Sequence, residues 1–200
     1  WILQPEVLEE RTRWYWEEGF QIHIHVNGDA GLEVVLDAIE RRMAELPRPD
    51  HRTVIVHFAN STEAQVDRIA RLGCIVSSNP YYPVGFADKF GEVGLGRERA
   101  DLMTRHRSVL DRHVPLSFHS DLPMGRSDPI GMMSCAVNRV TPSGRVAGPD
   151  QRITIEEALR AVTIDAAQSW RREHELGSIE PGKIANFTVV DANPLETDPD

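Results

Sequence analysis

Residues 20–29 read FQIHIHVNGD: Phe20, Ile22, Ile24 and Val26 alternate with Gln21, His23 and His25, and the pattern breaks off at Asn27-Gly28-Asp29. A period of two is the mark of a strand with one buried face. Asn-Gly-Asp is turn chemistry, and Asp29 offers a helix N-cap. Residues 30–46 then place Leu32, Val35, Leu36, Ile39 and Met43 on one stripe at helical spacing, and Pro47 and Pro49 stop it. Strand, turn and helix in that order are the first half of a βαβ unit.

The same grammar recurs on both sides. Residues 5–18 predict a helix ended by Gly19; residues 53–59, TVIVHFA, a second strand; residues 61–72 a helix capped by Ser61 and closed by Gly73. Residues 74–78 give a third strand and residues 114–120, VPLSFHS, a fourth that leads into DLPMGRSDP. Between them, NPYYPVGFADKFGEVGLG (79–96) has no usable period and reads as a long loop, with a helix expected over 102–112. Helices at 130–140, begun by Asp128-Pro129, and at 154–170 follow, and 177–195 reads as short strands joined by a Pro181-Gly182 turn. Strands alternating with helices at this spacing predict an α/β fold of right-handed crossovers and a parallel sheet, either doubly wound or closed into a barrel.

Composition narrows the function. A net charge of −9 with scattered Arg and Lys argues against a nucleic-acid partner, which needs a concentrated basic surface. No apolar run is long enough for a bilayer and the first residues do not form a signal peptide, which predicts a soluble, cytoplasmic protein. Cys74 and Cys135 stand far apart, each among apolar neighbours, and read as buried free thiols.

In parallel α/β folds functional groups gather at the carboxyl ends of the strands. His25 closes the first strand, His57 the second, and Asp121 directly follows the fourth. Imidazole and carboxylate are good ligands for divalent metals, and a catalytic site keeps room for water. His23 shares a strand face with His25, one step deeper, which suits a core-polar or supporting role as well as a chelating pair. His119, two residues before Asp121, is a candidate to hydrogen-bond a ligand or a substrate. His51, His106, His113 and His174 lie in polar surroundings and read as surface residues. Asn27, Asp29, Tyr81, Tyr82, Met124 and Arg126 fall after strands, where specificity is set, although Asp29 reads equally as a cap and the tyrosines as packing.

HVNGDAGLEVVLDAIE (25–40), VIVHFAN (54–60), LGCIVSSNPYY (72–82), VPLSFHSDLPM (114–124), SDPIGMMSCAVNR (127–139), QRITIEEALRAVTIDAAQSW (151–170) and GSIEPGKIANFTVVDANPL (177–195), in this order, resemble the amidohydrolase superfamily, specifically the YtcJ-like amidohydrolase family 3. The resemblance implies a partial TIM (β/α)8 barrel, strands five to eight of the parent, in residues 1–174, and the start of a C-terminal β-sandwich segment in 175–200. It implies metal ligands His25, His57 and Asp121, with Asp121 also the general base, and one or two divalent ions in the complete enzyme: zinc foremost, with manganese, iron or nickel as alternatives.

The family's HxH pair after strand one and its Lys or Glu after strand four have no counterpart: Lys89 and Lys183 fall in the wrong places. The missing N-terminal half of the same protein is then an implied partner, beside a small amide-like substrate and a possible homodimer mate. Two rival readings remain: an inactive fragment or weak metal-binding module, and an open nucleotide-binding sheet. The second requires a glycine-rich phosphate turn, and Asn27-Gly28-Asp29-Ala30-Gly31 puts an acid where the phosphate would sit.

Overall fold

A computed structural model describes residues 2–197. Its frame is four parallel strands, β1 (His23–Val26), β2 (Val54–His57), β3 (Ile75–Ser78) and β4 (Leu116–Phe118), in the spatial order β1-β2-β3-β4. Among the described residues the strand order has no reversal, so the sheet shows no switch point of the doubly wound kind. His25, Val56 and Ser77 stand in one register row, which Ser117 continues on β4. The strands are shorter than the alternation suggested; the first ladder bond, Val54 N–H to Ile22 C=O at 2.8 Å, starts beyond the exposed Phe20.

Helices α1 (Pro5–Glu17), α2 (Asp29–Glu45) and α3 (Glu63–Leu72) precede the third strand. The α2 stripe of Leu32, Val35, Leu36 and Ile39 is buried against Ile24, Val26 and Ile55, and Val76, Leu116 and Phe118 extend the same core. The opposite face, carrying His25, Val56 and Ser77, stays partly open. β1 is an edge strand, and beside it lies an apolar trough of about 530 Å³ lined by Leu3, Leu8, Ile22, Val26 and Val35 among others.

Two expected caps move by one residue. Gly28, not Asp29, is the N-cap of α2, and Thr62, not Ser61, caps α3 through a reciprocal pair with Gln65. The expected long loop at 79–96 is a helix, α4 (Tyr81–Glu92), followed by α5 (Arg97–Asp101). Pro80 and Pro83 resemble breakers in the sequence, yet they occupy the cap and first turn, where a missing N–H has no partner to lose. The helix expected over 102–112 is the shorter α6 (His106–Asp111). After β4 come α7 (Pro129–Asn138), with Asp128 as its N-cap, and α8 (Ile155–Val162) and α9 (Ile164–Gln168), split at Thr163. The strands expected in 177–195 do not form: a turn at 181–183 is present, but Ile179, Phe187 and Val189 are exposed, and a strand needs a paired neighbour. Residues 198–200 lie outside the described residues. No helix among the described residues is long and apolar enough to cross a membrane.

Two histidines read as surface residues are core residues. His51 is wedged beside Trp16, its nitrogens 2.7 Å from the Thr53 hydroxyl and the Leu72 carbonyl. His106 is fully buried, 2.9 Å from the Ser78 hydroxyl and packed on Phe118. Their polar sequence neighbours misled because the partners come from distant elements. His113 and His174 are exposed as expected. Cys74 is buried and Cys135 half-buried; burial pushes these thiols up to about 12 and about 11.

Arg139 organises the segment 139–149, for which the sequence suggested no role. Fully buried with φ of 54°, it donates to the carbonyls of Ala147 (2.6 Å), Met103 (2.9 Å), Asp101 (3.0 Å) and Thr104 (3.2 Å). Burial lowers its pKa to about 10, so the charge survives at neutral pH. Arg139→Met leaves the carbonyls of Ala147, Met103 and Asp101 without this donor, while Thr104 keeps His106 N–H, and should cost of order 3 kcal/mol in urea unfolding; a loss under about 1 kcal/mol contradicts the arrangement.

Burial holds the His106 pKa well below its ordinary value, so the unfolded chain binds more protons in mild acid. Stability is therefore full above the ordinary pKa of about 6.5 and falls as pH drops below it. Urea midpoints from pH 7.5 to 5 should show that fall, and His106→Asn should make it shallower while lowering the midpoint at pH 7.5, the other buried histidines keeping their share.

Candidate functional site

Parallel pairing brings the carboxyl ends of β1, β2 and β4 to one edge, and with them His25, His57, His119 and Asp121. His25 lies on the open face, opposite Ile24 and Val26. Simple alternation would send His57 into the helix-covered face with Ile55. Instead His57 and Phe58 take φ of 76° and 53°, and the His57 ring stands 4.4 Å from that of His25 and 4.8 Å from that of His119. Such backbone is strained by about 1–3 kcal/mol per residue and persists only when its surroundings impose it. Here Phe58 is locked in the core, its N–H bonded to the Val26 carbonyl at 3.2 Å. Asp121 also has positive φ, 55°, in a conformation that Asp tolerates better than most residues.

His57 Nδ1 is the focus of the cluster. The Tyr82 hydroxyl and His119 Nε2 each lie 3.1 Å from it, and Asp121 Oδ2 lies at 4.0 Å. His119 Nδ1 reaches the Ser77 hydroxyl at 3.1 Å, and the Tyr82 phenol is also hydrogen-bonded to the Asn27 side chain. Burial first, then the neighbouring His25, lowers the His57 pKa against the opposing pull of Asp121. Burial and His57 take His119 down to about 4, and burial with the nearby Asp121 raises Tyr82. At neutral pH His57 and His119 are therefore neutral, the form with a lone pair to offer a metal or a proton.

Six of the residues singled out in the sequence thus converge: His25, Asn27, His57, Tyr82, His119 and Asp121. Others do not. His23 stacks on Trp170 at 4.5 Å and bonds to the Ser169 backbone, away from the cluster. Tyr81 is not part of a loop: it opens α4 and donates its hydroxyl to the Arg126 carbonyl at 3.0 Å. Asp29 spends Oδ1 on Ala30 N–H at 3.0 Å and Oδ2 on Arg99 at 2.8 Å. Met124 and Arg126 are exposed beyond Asp121.

Asn79, which the sequence reading passed over, is fully buried at the centre of these strand ends. Its side chain donates to the Ser120 carbonyl at 3.3 Å and accepts from Tyr81 N–H at 3.0 Å, while its own N–H meets the His57 carbonyl at 3.4 Å. An Asn directly after an apolar strand and before a Pro was the available signal.

The donors suit a divalent ion by chemistry. Among the described residues, however, no three His, Cys, Asp or Glu side chains are disposed to hold one together. What this chain presents is a cluster of imidazole, phenol and carboxylate groups at the strand ends.

Comparison with known proteins supplies the context. The signature described as the amidohydrolase family matches residues 2–200. N-substituted formamide deformylase of Arthrobacter pascens is 36% identical over 181 residues, 89% of this chain and 33% of that protein. Protein LONG AFTER FAR-RED 3 of Arabidopsis thaliana is 31% identical over 194 residues, 96% of this chain and 33% of its own length. The crystal structure of a metal-dependent hydrolase from Pyrococcus horikoshii superposes with a TM-score of 0.84 at 26% identity, covering 99% of this chain and 39% of that one. The chain spans about a third of the length of the curated relatives it matches.

Asn79→Ala should cost about 1–3 kcal/mol, since it leaves Tyr81 N–H unpaired and takes from the Ser120 carbonyl one of its two donors, the other being Gly125 N–H. In NMR spectra it should shift the ring signals of His57 and His119 while leaving those of His23 in place. Unmoved His57 and His119 signals would contradict the role assigned to Asn79.

Proposed function

The chain belongs to the amidohydrolase family, and from that premise we propose that it carries part of the active site of a metal-dependent hydrolase that cleaves amide-type C–N bonds. The observation that carries this reading is the convergence of His25, His57 and Asp121 at the carboxyl ends of parallel strands, with the His57 imidazole kept neutral by burial. On this reading residues 1–174 are the second half of a (β/α)8 barrel, and residues 175–200 lead back towards a β-sandwich. The uncommitted edge of β1 and the apolar trough beside it are where such a wall would continue. The remaining metal donors then lie in polypeptide outside this sequence, in keeping with relatives about three times as long.

His25, His57 and Asp121 would each contribute a donor to the ion, zinc foremost, with the rest of its ligands supplied from outside this sequence. Bound there, a divalent ion lowers the pKa of a water and polarises the substrate carbonyl. Asp121, exposed at the strand edge, takes the proton from the attacking water and delivers it to the leaving nitrogen. His119, held to His57 Nδ1 and to the Ser77 hydroxyl, serves as a hydrogen-bonding partner. Asn27 and Tyr82 border the same space and contact substrate or orient His57. The formamide substrate named for the Arthrobacter relative supports the amide class.

Zinc titration of the purified chain against a chromophoric chelator tests the donor set. Wild type should bind one equivalent at least about tenfold more tightly than folded His25→Ala/His57→Ala. Equal binding removes the metal reading and leaves a scaffold that has kept the fold without the site. In the complete enzyme, Asp121→Asn should lower kcat by about a hundredfold or more while KM changes little.

A further inference from the structure

The carboxyl ends of the strands are bridged by residues 79–105. This segment leaves β3 at Asn79 and puts Tyr82 on His57 and Asn27, after β2 and β1. It sends the Tyr81 hydroxyl to Arg126, after β4, and returns with Thr104 N–H on the Ala59 carbonyl at 2.9 Å and Arg105 on the Ser61 carbonyl at 2.8 Å. It therefore forms a cap over the edge where the candidate site lies.

The base of the cap is well fixed. Ala87, Met103 and Ala147 make a small core of their own with Phe86 and Leu95, Asp88 meets Arg145 at 2.9 Å, and Arg139 grips the carbonyls at 101, 103 and 104. The tip is not. α4 and α5 are joined through Gly94 and Gly96, both left-handed with φ of 105° and 75°, with no atom within 4 Å of the Cβ position at either. α5 reaches the β1 end through Arg99 to Asp29, a pair with 54% and 36% side-chain exposure.

We propose that Asp29 is a positioning residue that tethers this cap, rather than a ligand for metal or substrate. Both of its carboxylate oxygens are already engaged, one by its own helix and one by Arg99, and its carbonyl accepts from Gln65 Nε2 at 2.9 Å. α2 and α3 thus make it a stiff post. An exposed ion pair changes an equilibrium by a few-fold, which suits a contact that must release: the cap stays folded over the site yet its tip opens readily. The proposal goes beyond the hydrolase reading and does not depend on which bond the site cleaves.

Amide hydrogen exchange on the intact chain tests it without metal or turnover, so failure of the hydrolase reading leaves it standing. Arg99→Gln and Arg99→Glu should accelerate exchange across residues 93–104 by about two- to fivefold, with Arg99→Lys close to wild type and the strand amides of β2 and β3 unchanged. Asp29→Asn, which keeps an oxygen for Ala30 N–H, should match Arg99→Gln, and the double variant should add nothing further. Salt at about 0.5 M should bring wild type towards Arg99→Gln. Unchanged exchange at 93–104 in Arg99→Glu, additive effects in the double variant, or equal acceleration throughout the sheet would each overturn the tether.

Discussion

Parallel pairing in unbroken sequence order is the constraint from which the rest follows. Because β1 to β4 run the same way in one register, their carboxyl ends must share an edge, and the residues that end them must meet. His25 and His57 are 32 positions apart in the chain, yet the pairing of Val26 with His57 makes them neighbours. Side chains far apart in sequence become one chemical environment without any element bending to seek another.

The pairing alone would still have failed to gather the cluster. Alternation assigns His57 to the helix-covered face, and its transfer to the open one needs two consecutive left-handed residues, neither of them glycine. The hydrophobic core holds that strain in place through Phe58. Stability in one part of the molecule thus maintains an unfavourable backbone in another, and the same burial that anchors Phe58 keeps His57 and His119 uncharged.

Much of this was legible in the sequence. The alternation of FQIHIHV and the apolar run of TVIVHFA located the first two strands, and the position of His25, His57 and Asp121 relative to the strands picked out side chains that the fold brings together. What stayed hidden depended on long-range partners or on local rules that look contrary. Pro80 and Pro83 disguised α4 because prolines break helices everywhere except where they begin. His51 and His106 passed for surface residues because Leu72 and Ser78, to which they bond, are distant in the chain. Asn79 lacked any period or charge to draw notice, and the strands expected near the C-terminal end had no neighbour to pair with among the described residues.

The cap leaves the sheet and rejoins it at almost the same place: Asn79 N–H rests on the carbonyl of His57, and Thr104 N–H on that of Ala59, two residues further along. A segment whose two roots are adjacent can lengthen, shorten or be replaced without altering the spacing of the strands beneath it. The cover over this edge and the strand ends beneath it are therefore free to vary separately, the length of the one leaving the spacing of the other where it is.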